Sequence, residues 1–254
     1  MNYYNEWDPF AAAWLRNLIA AGLLLDGDVD ERSITDVQPA DLEGYTQHHF
    51  FAGIGGWPLA LQLAGWPSDG VVFTGSCPCQ PFSIAGRGGG TADSRHLWPQ
   101  FHRLIAECRP PVVFGEQVAS LDGRGWLAGV RTDLESVGYA VGAADLCAAS
   151  LGAPHIRSRL WWVADSTHVR HEWARSAWGW RNGSTDSRAW ADSIYIECAD
   201  GKTRRIPNPE TQPSVHPLAH GVPNRVGRLR AYGNAIVPQV AATFIRAFMQ
   251  EDSR

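Results

Sequence analysis

Residues 71–87 read VVFTGSCPCQPFSIAGR, and how this stretch folds decides the reading of the whole chain. An apolar run that stops at Gly75-Ser76 and passes into Cys77-Pro78-Cys79-Gln80-Pro81 predicts a buried strand delivering a cysteine to the carboxyl edge of a sheet. In open α/β sheets that edge is where ligands bind. Pro78 and Pro81 restrict the backbone around Cys79 and Gln80, so the thiol points in a fixed direction. A buried structural cysteine beside a proline turn has the same local pattern, and the neighbouring segments decide between the two.

Upstream, His48-His49-Phe50 runs into Phe51-Ala52-Gly53-Ile54-Gly55-Gly56 and then WPLALQLAGW, a short strand opening through glycines into an amphipathic helix. Glycines there let a cofactor approach the backbone, but the spacing lacks the full GxGxxG of a dinucleotide site. Downstream, the glycine-rich run at 86–90 is expected to form a loop able to close over a substrate, or a plain surface linker. Helical spacing resumes at PQFHRLIAEC, and PPVVFGEQV then predicts a second buried strand ending in Glu116 at the same edge. LAGVRTDLESVGY predicts a helix and YAVGAADLCAASLGAP a strand and turn. In APHIRSRLWWVA, period-two alternation puts Arg157 and Arg159 on one strand face, a pair suited to a phosphate or a carbonyl oxygen. At the start of the chain Asp8 and Pro9 cap a helix through FAAAWLRNLIAAGLLL that ends at Gly22 or Gly27, and GDVD follows as an acidic stretch. Residues 165–225, rich in Gly, Ser, Asn, Pro and Trp, predict an irregular lobe, and QVAATFIRAFM a closing helix.

The chain has 254 residues, 44% hydrophobic and 19% charged, enough for one substantial core and a small appended lobe. Five cysteines without CxxC spacing argue against a disulfide framework and a zinc site. No charged-then-apolar leader and no membrane-length apolar run is present, which predicts a cytoplasmic protein. The net charge of −4 conceals an asymmetry. Residues 1–154 hold 8 Lys/Arg against 17 Asp/Glu, and residues 155–232 hold 12 against 7 together with six tryptophans. Basic residues interleaved with aromatics suit a phosphate backbone and unstacked bases, or a solvated basic surface over a small tryptophan core.

Five segments together resemble the C5-cytosine DNA methyltransferases: FAGIGG their first motif, PCQPFS the nucleophile motif, GEQV the Glu-Asn-Val motif, HIRSR the Gln-x-Arg-x-Arg motif and GNAIVP the last motif. Gln117 and His155 depart from the family's Asn and Gln. Only about twenty residues separate Gly56 from Pro78, too few for the family's second and third motifs. Asn5-Glu6-Trp7-Asp8 and Gly27-Asp28-Val29 resemble them, so the motif order is permuted, with one helix crossing directly between neighbouring strands.

The resemblance implies a Rossmann-like α/β sheet with helices on both faces. It divides the chain into a catalytic and cofactor part at 1–164, a target-recognition lobe at 165–225 and a C-terminal return at 226–254. It implies S-adenosylmethionine as cofactor, held by Phe51, Ala52, Gly53, Ile54, Gly55, Gly56, Glu6, Trp7, Asp28, Val29, Pro78, Asn234, Ala235 and Ile236. Glu6 is expected at the ribose hydroxyls and Asp28 at the adenine amino group. Cys79, Gln80, Glu116, Arg157 and Arg159 form the expected catalytic set: Cys79 attacks C6, Glu116 contacts N3 and Arg159 contacts O2. Ser83, Arg87, Arg95, Arg181, Arg188, Lys202, Arg204 and Arg205 are the expected contacts to double-stranded DNA. A compact bacterial or phage-type monomer follows from the same likeness. An RNA cytosine methyltransferase, transfer of a larger group from a modified donor, and a non-enzymatic binding module are the alternatives.

Overall fold

The computed structural model describes residues 1–78, 97–153, 155–167, 193–197, 203–207 and 233–251. Strands β1 (Asn2–Asn5), β2 (Gly27–Asp30), β3 (Gln47–Phe50), β4 (Val72–Gly75), β5 (Val112–Val118), β6 (Ala140–Cys147) and β7 (Ser158–Asp165) make one sheet, ordered β2-β1-β3-β4-β5-β7-β6. The first five of these positions run parallel, and β7 lies antiparallel between β5 and β6. Helices α1 (Pro9–Ala20), α2 (Gly56–Ala64), α3 (Trp98–Cys108), α4 (Leu121–Ser136) and α5 (Pro238–Glu251) complete an open α/β layer architecture.

Alternation along the central strands divides the core into two layers. Val72, Phe114, Trp161 and Val163 pack with Trp57 and Leu61 of α2 and with Val240, Ile245 and Phe248 of α5. Phe73, Val113, Trp162 and Ala164 pack with Phe101 and Leu104 of α3 and with Trp126, Val130 and Leu134 of α4. A smaller cluster of Tyr4, Leu15, Leu24 and Ala52 seats α1. Trp162 crosses β5 so closely that a Cβ on Gly115 would meet its ring at 2.1 Å, which accounts for glycine inside a buried strand.

Local signals explain the helix ends. Asp8 accepts from the amides of Phe10 and Ala11 at 2.9 and 3.2 Å, and Pro9 occupies the first turn, as expected of a capped start. The helix stops at Ala20, with Gly22 left-handed at φ +68°, so of the two candidate terminators Gly22 is the one used. Gly27 instead opens β2, where composition alone predicts only an acidic stretch.

Two further expectations need correction. β7 continues through Asp165, which pairs with Val112 and Ala140, one residue past the expected start of the lobe. Nor is that segment wholly irregular: β8 (Ser193–Glu197) and β9 (Thr203–Pro207) form an antiparallel pair. SIYIE and TRRIP carry β-forming residues, and Asp200-Gly201 between them is a hairpin signal. Among the described residues no helix is long and apolar enough to cross a membrane.

The central strand β3 carries two buried histidines on opposite faces. His48 bonds the Leu42 carbonyl at 3.0 Å, while His49 stacks on Tyr4 at 5.1 Å and bonds Thr74 Oγ1 at 2.8 Å. Burial, and secondarily the neighbouring His48, holds His49 down at about 3. Between the ordinary imidazole value of 6.5 and about 3, the unfolded chain takes up a proton that folded His49 refuses. The stabilisation is therefore complete above that window and lost as the pH falls through it. Urea unfolding across this pH range is expected to show a falling midpoint, with a shallower fall in His49→Gln. An unchanged slope in the variant would contradict the assignment.

Candidate active site at the carboxyl edge of the sheet

Strand register assembles the site. Asn5, Phe50, Gly75 and Gly115 form one continuous row of partners across β1, β3, β4 and β5. The next residue on each strand is therefore also level: Glu6, Phe51, Ser76 and Glu116. At about 4.8 Å per strand, Glu6 and Glu116 stand about 14 Å apart along one edge.

The first half of the row is a glycine cradle bound to an acid. Glu6 is buried, and its two carboxylate oxygens accept from the amides of Asp8 at 2.8 Å and Gly53 at 2.7 Å. Ala52 N–H donates to the Asn5 carbonyl at 3.0 Å, so the NEWD segment and the FAGIGG loop are joined twice. Phe51 adopts φ +52°, a strained conformation for a bulky residue, and Gly55 caps α2 at φ +86°. A Cβ on Gly53 would meet nothing closer than 4.0 Å, which leaves open space above the loop. A Cβ on Gly56 would meet Ile236 at 2.6 Å, so the GNAIVP segment rests directly on the cradle. Trp7, beside the acid, is 72% exposed.

Asp28 does not reach this edge. It stands opposite Tyr3, two residues before the end of β2, and accepts from the Tyr45 hydroxyl at 2.6 Å. β2 starts at Gly27, so the acid at its carboxyl end is Asp30, which is held by Arg32 and by the Tyr3 hydroxyl. Val29 lies between them and packs against the α1 cluster.

The second half of the row centres on Glu116. Its carboxylate is buried and meets Arg159 Nε at 2.7 Å from the diagonal position on β7. Burial pushes the carboxyl up from its ordinary range, and the cations Arg159 and Arg157 together with the Ser76 hydroxyl act in the opposite direction. Arg159 meets Glu116 directly, and Arg157 acts on the same carboxyl while also bonding elsewhere. Arg157 precedes the strand and donates to the carbonyls of Gly233 and Ala235 at 3.2 and 2.9 Å, clamping the last motif. A cavity of ≈460 Å³ opens between Ile54, Gly56, His155, Arg157, Ile236 and Gln239. Burial, then the charge of Arg157, holds His155 below its ordinary value. Gln117 turns its oxygen to the Val118 amide at 3.0 Å, and its Nε2 is buried without a partner among the described residues.

Cys77 is buried, and burial pushes its thiol far up, so it stays protonated and unreactive. Of the expected site residues, Cys79, Gln80, Ser83, Arg87, Arg95, Arg181, Arg188 and Lys202 lie outside the described residues, and Arg204 and Arg205 are described only as backbone in β9. Pro78 is half-buried beyond β4, and Asn234 is exposed beside the Ala235 carbonyl that Arg157 grips. Ser76 and Trp57 belong to no expected set, yet the Trp57 indole donates to Ser76 Oγ at 3.0 Å within the row. The matching ends of VFTGS and VVFGE, two strands that each close on glycine and a polar residue, are the signal that could have found Ser76.

Removing one member of a buried ion pair leaves an uncompensated charge. Arg159→Ala is expected to lose about 3 kcal/mol at pH 8. The deficit relative to wild type should shrink as the pH is lowered from 8 to 5, because burial raises the carboxyl and favours its neutral form. Glu116→Gln in that background should recover part of the loss. Equal deficits at both pH values, with no recovery, would contradict a buried pair.

Residues 66–176 match the family model of C-5 cytosine-specific DNA methylases. The Type II methyltransferase M.AplI of Arthrospira platensis is 34% identical over 183 residues, covering 57% of this chain and 50% of the relative. M.HhaI of Haemophilus parahaemolyticus is 28% identical over 167 residues, covering 50% and 51%. The chain thus spans about half the length of each of these relatives. Over residues 66–176, which include the buried glutamate–arginine pair, the chain is similar to the C-5 cytosine-specific DNA methylases.

Proposed function

We propose that the protein transfers a methyl group from S-adenosylmethionine to C5 of a cytosine in double-stranded DNA. The observation that carries this reading is the buried Glu116–Arg159 pair in the same row as the Glu6–glycine cradle. The matched relatives, which carry names of Type II methyltransferases, support the same reaction class.

The cradle fits the cofactor. The Glu6 carboxylate suits ribose hydroxyls, the open face at Gly53 admits a ligand against the backbone, and exposed Trp7 offers a ring for stacking. S-adenosylmethionine, when bound, supplies an electrophilic methyl on its sulfonium. Cytosine C5 is a weak nucleophile until a thiolate adds at C6, and Cys79 is the thiol for that addition. The electron pair then moves toward N3, where a neutral Glu116 donates its proton and stabilises the adduct. Burial keeps this carboxyl accessible as an acid, while Arg159 holds its orientation and presents a cation to the base O2. Arg157 acts on the protein by fixing the last motif against Gly56. Once C5 carries the methyl group, a base removes the C5 proton and the C6–sulfur bond breaks to release Cys79. A stacked base cannot be reached from both faces, so the cytosine is flipped out. The basic segment after residue 165 reads a short site, about two to four base pairs, with most of its arginines on phosphate.

Duplex DNA containing 5-fluorocytosine is expected to trap the protein covalently when S-adenosylmethionine is present, because fluorine cannot leave as a proton does. Cys79→Ala should abolish the adduct and retain cofactor binding. Glu6→Ala should weaken that binding by about 1–3 kcal/mol, the scale of a lost charged acceptor. An adduct that persists in Cys79→Ala, or that forms only on RNA, would overturn the reading.

A further inference from the structure

We propose that Ser76 is a positioning residue for Glu116: its hydroxyl, oriented by the Trp57 indole, donates to the carboxylate and holds it from the side opposite Arg159. The inference rests on the assignment of Glu116 to the target base.

Three observations carry it. Gly75 and Gly115 are partners in the parallel β4–β5 ladder, so Ser76 and Glu116 follow at the same level with side chains on the same face. Trp161, opposite Glu116 on β7, and Trp57 of α2 meet edge-on at 5.6 Å on that face, which places the Trp57 indole beside Ser76. The indole N–H then reaches Ser76 Oγ at 3.0 Å.

The direction of the chain of bonds follows from what each group can do. An indole N–H donates only, so Ser76 Oγ is the acceptor in that contact and its single hydrogen is left to point elsewhere. The carboxylate level with it on the neighbouring strand is that of Glu116, and the hydroxyl hydrogen is directed there. Glu116 Oε1 is held from the other flank by Arg159 at 2.7 Å. A carboxyl group gripped from two strands has a fixed plane, and a fixed plane is what in-plane contact with a base edge demands. The relay also favours the ionised carboxylate, opposing the effect of burial. Among the described residues, the charged groups facing Glu116 are Arg159 of β7 and Arg157 just before it, while Cys77 beyond Ser76 is buried and neutral. Ser76 and Trp57 thus adjust the acid without touching the base.

The test is a titration of Glu116 by NMR in protein carrying 13C-labelled glutamate carboxyls, with Glu116→Gln assigning the resonance. Ser76→Ala is expected to raise the Glu116 midpoint by about one pH unit, the scale of one hydrogen bond to a charged group. Ser76→Thr, which keeps the hydroxyl, should restore it. Trp57→Phe should raise it by less, and the Ser76→Ala/Trp57→Phe double variant no further than Ser76→Ala alone, because the indole acts only through the hydroxyl. In turnover, Ser76→Ala should lower kcat with the KM for S-adenosylmethionine unchanged. A midpoint unmoved by Ser76→Ala, or independent additive shifts from the two residues, overturns the proposal. The titration needs no methyl transfer: a shifted midpoint in a protein that leaves DNA unmodified would sustain the relay and overturn the proposed function instead.

Discussion

The parallel register of the central strands is the constraint on which the site depends. Because Asn5, Phe50, Gly75 and Gly115 align across four strands, the chain can place Glu6, Phe51, Ser76 and Glu116 in one row without bringing any loop across the sheet. A slip of one residue on β5 would turn Glu116 to the other face and Gln117 into its place. That register is defended by packing: Phe114 and Trp161 are locked into the α2–α5 layer and Val113 and Trp162 into the α3–α4 layer. Gly115 admits the ring of Trp162 at a distance no side chain would permit.

The same constraint explains why the order of segments along the chain is free to change. β3 lies between β1 and β4, so α2 connects β3 to β4 as a direct crossover between parallel neighbours, and the strands bearing Glu6 and Asp30 occupy the remaining edge although they come first in the chain. What must be kept is spatial: the Glu6 carboxylate on the Gly53 amide, and Ala52 N–H on the Asn5 carbonyl. These bonds join the start of the chain to the glycine loop 47 residues later. Charge follows position as well, since the acidic residues concentrate before residue 155 and the basic ones after it.

Legibility in the sequence varied with the physics of each element. β4, β5 and β7 are apolar runs buried on both faces and could be read directly, as could α1 through Asp8 and Pro9. β1 and β2 could not: NYYN and GDVD are four residues long, and their asparagines and aspartates disfavour strands, so tertiary pairing decides. Only the motif likeness pointed to them, and it placed the edge acid at Asp28 instead of Asp30, because the start of a four-residue strand cannot be read to within two residues. Alternation predicted that Arg157 and Arg159 share a face. β7 begins only at Ser158, which frees Arg157 to turn to the last motif. Ser76 carried no motif signal, since its partner is set by register alone.

At the edge, two electrostatic environments lie side by side. Glu6 accepts from backbone amides, which suits an ionised carboxylate, whereas Glu116 is buried beside a cation, and burial favours its protonated form; under the proposed function that proton faces the target base. In the proposed function the acceptor atom is C5 of cytosine. The most direct measurement is nucleoside analysis of duplex DNA after incubation with the protein and S-adenosylmethionine carrying a labelled methyl group. The label is expected in 5-methyldeoxycytidine alone, whereas label on the exocyclic nitrogen of cytosine or adenine would contradict the assignment.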